Sequence, residues 1–113
     1  MKKVLMSLHQ DDNLPHQYGP ALRAGYHAVY PFVAAGAMPI ILPAGPLSQQ
    51  QLREFVSIAD IVVIHGGDDV NPKLYGEEIA YETVKTYQQR DELEIALVEE
   101  AMRQHKPVYG ICR

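Results

Sequence analysis

The residues best suited to chemistry in this chain are Cys112 and the Gly66-Gly67 pair, and each closes a short apolar run. Asp60 to His65 (Asp-Ile-Val-Val-Ile-His) runs into Gly66-Gly67-Asp68-Asp69, and Pro107 to Ile111 (Pro-Val-Tyr-Gly-Ile) runs into Cys112-Arg113. If both runs are strands of one parallel sheet, their endings share a rim and the glycine amides can face the thiol. That is what acyl transfer requires: a sulfur nucleophile, with backbone N–H donors where the carbonyl oxygen becomes negative. A helix starting just after the cysteine would also favour the thiolate and offer the amide of the next residue as a donor. A lone cysteine is more often a core residue, so the thiol by itself does not decide the matter. His65 beside Asp68 and Asp69 is a poor metal set, because adjacent aspartates point in different directions. A strand-end histidine with local hydrogen bonds is the simpler reading.

The elements that must position these residues follow from the apolar pattern. Lys3–Leu8, Met38–Leu42, Asp60–His65 and Pro107–Cys112 are runs without polar alternation, as in strands of a parallel sheet covered on both faces. Between them the period becomes helical. Tyr18 to Gly36 carries Leu22, Tyr26, Val29, Tyr30 and Val33 at helical spacing, with a break or kink expected at Pro31 and a stop at Gly36. Ser48 to Ile58 opens on a serine N-cap and aligns Leu52, Phe55 and Val56. Asp91 to Gln104 aligns Leu93, Ala96, Leu97 and Ala101, with Asp91 and Glu94 in capping-box spacing. The alternation predicts an α/β fold, a parallel sheet with flanking helices. The Asp68–Arg90 connection is long for such a fold, and connections of that length usually serve function.

Composition narrows the classes. With 113 residues there is room for one domain, and 47% hydrophobic against 21% charged residues is an ordinary globular balance. The net charge of −4, with scattered basic residues, argues against nucleic-acid or membrane-surface binding. The apolar start at Val4-Leu5-Met6 breaks at Ser7, too soon for a signal-peptide core, and a single cysteine forms no internal disulfide. The expected location is cytoplasmic.

The strings Gly66-Gly67-Asp68-Asp69-Val70-Asn71-Pro72, Leu74-Tyr75-Gly76-Glu77, Arg90-Asp91 with Glu94, and Lys106 to Arg113 (Lys-Pro-Val-Tyr-Gly-Ile-Cys-Arg) resemble class I glutamine-amidotransferase-like hydrolases. The nearest branch is the peptidase C26 group, which includes the γ-glutamyl-γ-aminobutyrate hydrolases of polyamine catabolism. Gly36 to Pro43 resembles that group's first helix running into its second strand. The resemblance implies the N-terminal half of a flavodoxin-like domain and cleavage of a γ-glutamyl amide through a thioester, by a Cys-His-Glu triad. It assigns Cys112 as nucleophile and the backbone amides of Gly67 and Arg113 as the oxyanion hole. Gly66, Asp69, Asn71, Tyr75 and Arg90 fall in the pattern around the substrate pocket. It implies a small-molecule γ-glutamyl substrate, no metal and no organic cofactor.

The chain departs from the pattern in two ways. Residue 65 is histidine where the family usually has a small polar residue or proline. The Cys-Arg-Gly-x-Gln continuation stops at Arg113, and none of the five histidines lies in the family's His-x-Glu arrangement. Residues 1–113 are thus expected to form one glutamine-amidotransferase-like domain truncated after its nucleophile. The chain alone is expected to be inactive and to self-associate through an open sheet edge. The alternative is a catalytically inactive binding or regulatory module. A generic nucleotide or flavin binder is disfavoured, since the first strand leads into His9-Gln10-Asp11-Asp12 and not a glycine-rich phosphate loop.

Overall fold

A computed structural model of the chain describes residues 1–11, 21–43, 45–79 and 86–112. The four apolar runs form strands: β1 Lys3–Ser7, β4 Met38–Ile41, β5 Ile61–Ile64 and β6 Val108–Gly110. They build one parallel sheet in the order β4-β1-β5-β6. Counting only these strands, the order is second-first-third-fourth, as in flavodoxin-like sheets. Pro39 can sit within β4 because β4 is an edge strand, where a missing N–H need break no ladder bond.

Alternation along β1 divides the core into two layers. Leu5 points to the face covered by α2 (Gln49–Ile58) and α3 (Gln88–Arg103), where it joins Leu42, Leu52, Val56, Val62, Leu97 and Ala101. Val4 and Met6 point to the opposite face, with Val63 and Leu8, and Val29 and Phe32 of α1 (Tyr26–Ala34) pack against them. Side chains such as Val56 and Leu97, both fully buried, stabilise the fold by about 1.5–3 kcal/mol each. The runs at β1 and β5 lack polar alternation because these central strands are packed on both sides, whereas β4 and β6 at the ends of the sheet are more exposed.

Helix ends follow local chemistry where a cap exists. Ser48 accepts a hydrogen bond from the Gln51 N–H, and the Gln51 side chain accepts one from the Ser48 N–H, a complete capping box. Gly36, at φ +83°, follows α1 as its stop.

Three expectations about elements are corrected. Residues 21–23 are not helical: β2 (His9–Asp11) and β3 (Ala21–Arg23) form an antiparallel pair, with His9 opposite Arg23, while 12–20 lie outside the described residues. Two shorter helices do not form at Pro31, which lies inside α1, a single helix from Tyr26 to Ala34. Asp91 and Glu94 do not cap α3, which begins at Gln88. They are buried inside it because they bond elsewhere in the fold: Asp91 Oδ2 accepts from the Asn71 N–H at 3.0 Å, and Glu94 Oε1 accepts from Ser7 Oγ at 2.7 Å.

Candidate active site

The carboxyl ends of β1, β5 and β6 meet on one rim. Hydrogen bonds from the His65 N–H to the Ser7 carbonyl (3.1 Å) and from the Ile111 N–H to the Ile64 carbonyl (2.8 Å) carry the ladder one residue past each strand. The next residues beyond β5 and β6 are Gly66 and Cys112, and they touch. A Cβ built on Gly66 would lie 3.4 Å from the Cys112 Cβ and 3.9 Å from its Sγ. The two residues are therefore within van der Waals reach of one another at the rim.

Cys112 is exposed and adopts φ +75°, left-handed backbone that a non-glycine residue takes at a cost of roughly 1–2 kcal/mol. Such strain persists where the surrounding structure imposes it, typically at functional positions, and a sharp turn at a strand end is how hydrolases project a nucleophile. Beside it lies a cleft of about 410 Å³. The strand ends supply Leu8, His9, His65, Gly66, Ile111 and Cys112, β3 supplies Arg23, and the start of α1 supplies Gly25, His27 and Ala28. A larger groove of about 620 Å³ follows α2 along Gln51, Phe55 and Ile58, and it contains neither the thiol nor the glycine turn.

Behind the turn is a buried polar chain. Arg90, with no exposed surface, donates from Nη2 to the His65 carbonyl at 2.5 Å and from Nε to Glu94 Oε1 at 2.7 Å. His65 is itself buried and stands edge-on to Phe32, with ring centroids 6.2 Å apart. Burial, followed by the charges of Arg90 and His27, holds its pKa below the usual histidine value, with Glu94 partly offsetting the shift. The ring is therefore neutral near pH 7.

The expected site residues separate into groups. Cys112 and Gly66 line the cleft, and Gly67 is the exposed next residue of the turn. Asp69 and Tyr75 are exposed outside the cleft lining, Tyr75 on a 3₁₀ turn (Pro72–Tyr75) capped by Asn71. Arg90 is placed behind the turn and not in the cleft, because its guanidinium is consumed by Glu94 and the His65 carbonyl. Arg113 and Asp12 lie outside the described residues. The wall formed by Arg23 and His27 was hidden in the sequence by the helical spacing of 18–36. Ser7, a polar residue closing an apolar strand, was the available sign of a buried partner.

The sequence model of the peptidase C26 family matches residues 5–113. The chain belongs to the peptidase C26 family. Relatives of this C26 chain include a glutamine amidotransferase-like protein of Rickettsia prowazekii, 38% identical over 82% of this chain and 32% of its own length. Others are a glutamine amidotransferase-like protein of Lactococcus lactis, 35% identical over 73% of this chain and 34% of its own, and Protein NtpR of Enterococcus hirae, 35% identical over 70% and 32%. The C26 chain spans about a third of the length of these curated relatives. Among its described residues, no group of three or more His, Cys, Asp or Glu side chains is disposed to hold a metal, and no helix is long and apolar enough to cross a membrane.

Proposed function

We propose that Cys112 is the nucleophile of a cytoplasmic hydrolase that cleaves γ-glutamyl amide bonds through a thioester. The observation that carries the reading is Cys112 in left-handed backbone at a strand end, against the Gly66-Gly67 turn and open to a cleft. The thiolate attacks the γ-carbonyl carbon, and the carbonyl electron pair moves to oxygen. The Gly67 N–H, with that of Arg113, donates to this oxyanion. Collapse expels the amine, which takes a proton from a general acid, and water then cleaves the thioester to free the γ-carboxylate and the thiol. A γ-glutamyl amide of γ-aminobutyrate, as in polyamine catabolism, is the substrate favoured by the family branch. Residues 1–113 contain no His-x-Glu sequence to act as acid and base, and losing a triad member costs orders of magnitude in rate. The 113 residues by themselves are then expected to turn over no substrate.

The test separates nucleophile from turnover. A diazomethyl ketone built on the γ-carbonyl of glutamate should give one adduct by mass, on Cys112, faster than its β-aspartyl homologue and absent in Cys112→Ala. Equal labelling by both homologues would remove the γ-glutamyl assignment. With γ-glutamyl-γ-aminobutyrate or glutamine, the 113-residue chain should release no product. Turnover that vanishes in Cys112→Ala would overturn the inactivity of the isolated chain.

A further inference from the structure

The geometry points to Arg90 as a positioning residue for the glycine turn, an inference that rests on the proposed role of that turn as an oxyanion donor. A peptide unit is planar and trans, so the His65 carbonyl and the Gly66 N–H belong to one rigid plane and point in opposite directions. Arg90 Nη2 holds that carbonyl on the buried side at 2.5 Å. The Gly66 N–H must then face away from Arg90. The guanidinium also closes on the next residue. A Cβ at Gly67 would overlap Arg90 Nη1 and the His9 ring, so the backbone of Gly67 rests directly against Arg90. The turn is thereby gripped before Gly66 and at Gly67, the residue whose N–H is the proposed donor.

The grip is anchored. Glu94 Oε1 takes Arg90 Nε at 2.7 Å and Ser7 Oγ at 2.7 Å, tying helix α3 to the end of β1. A buried ion pair of this kind is weak evidence for stability, because desolvation offsets the attraction. A planar fork with several donors in fixed geometry is well suited to setting a neighbouring backbone, which a lysine ammonium is not. Oxyanion stabilisation depends on donors already aimed at the developing charge, so an element that aims them acts on the transition state without touching substrate.

The experiment uses the full chain carrying Arg90→Lys, which keeps the charge opposite Glu94 and removes the fork. Two readouts are taken: the amide ¹H and ¹⁵N shifts of Gly66 and Gly67, and the rates of Cys112 labelling. Labelling compares the γ-glutamyl diazomethyl ketone, which develops an oxyanion, with iodoacetamide, which does not. Arg90→Lys should shift both glycine amides and slow the ketone on the order of tenfold, leaving iodoacetamide within about twofold. Unchanged glycine amides in the folded variant overturn the proposal, and so does an equal slowing of both reagents. If the unmodified chain shows no preference for the ketone, the oxyanion reading itself falls, while the glycine shifts still decide whether Arg90 sets the turn. Should Arg90→Lys not fold, Glu94→Gln, which keeps an acceptor oxygen and releases the charge, is read in the same way.

Discussion

Gly66 and Cys112 sit side by side at the ends of β5 and β6, so close that a β-carbon on residue 66 would touch the thiol-bearing residue. The contact joins the two features that single out a site in this chain, and the parallel ladder between β5 and β6 enforces it. The next residue of the turn is more tightly held. At Gly67 the backbone has φ +150°, and a side chain there would run into Arg90 and His9.

Gly67→Ala is therefore expected to destabilise the fold by about 1–3 kcal/mol, since Arg90 is buried and held at both ends and cannot swing aside. Gly76, at φ +84° with open space around its α-carbon, is the control: Gly76→Ala carries backbone strain without overlap and should cost less. Urea unfolding midpoints of the two variants check the order. A Gly67→Ala chain as stable as the parent would mean that the turn is not packed against Arg90.

His65 gives the fold a dependence on pH with a defined sign. Its folded pKa lies below the ordinary value because the ring is buried and faces Arg90 and His27, with Glu94 pulling the other way. As pH falls below about 6.5, the unfolded chain binds a proton that the folded chain does not, so stability drops until the folded pKa is reached. Above that window the group contributes no slope. Urea unfolding between pH 8 and 5 should show this loss, and His65→Gln should flatten it. An unchanged slope in His65→Gln would assign the titration to another group.

The capping box at Ser48 offers a test confined to local structure. Ser48→Ala removes the acceptor for the Gln51 N–H and leaves the Gln51 side chain with half of its reciprocal pair. The expected loss is about 1 kcal/mol, within the range for exposed N-caps. Ser48→Asp keeps an acceptor and should restore most of it. Thermal unfolding of both variants would show the difference.

Much of this molecule was legible because its signals are local. The central strands β1 and β5 are packed on both faces and so lack alternation, and Ser48 with Gln51 reads as a helix start without any tertiary context. The β2–β3 pair was not legible, because Leu22 falls at helical spacing with Tyr26 and Val29 and only the fold places it over β1. Asp91 and Glu94 misled for a similar reason. Their spacing matches a cap, but their partners, Asn71 and Ser7, are 20 and 87 residues away. Cys112 and Gly66 could be nominated from the strand endings, whereas the Arg90 clamp behind them depends on a carbonyl 25 residues distant, which no spacing rule reveals.

The far side of β6 leads to the last prediction. In the sheet, β6 pairs with β5 on one side only, and among the described residues no strand pairs with its other side. Val108 and Tyr109 on that strand are 39% and 61% exposed, and a cavity of about 270 Å³ on the face with α3 combines Ile64, Val70, Ile95 and Val98 with the carboxylates of Asp91, Glu94 and Glu99. Unpaired strand groups next to apolar side chains are a template for pairing with a second chain. The 113-residue chain is therefore expected to self-associate with rising concentration. Tyr109→Lys, which places a charge on the edge strand, should shift the equilibrium toward monomer. Sedimentation velocity across a concentration series decides it: a single monomeric species for the unmodified chain at every concentration would rule the edge out as an association surface.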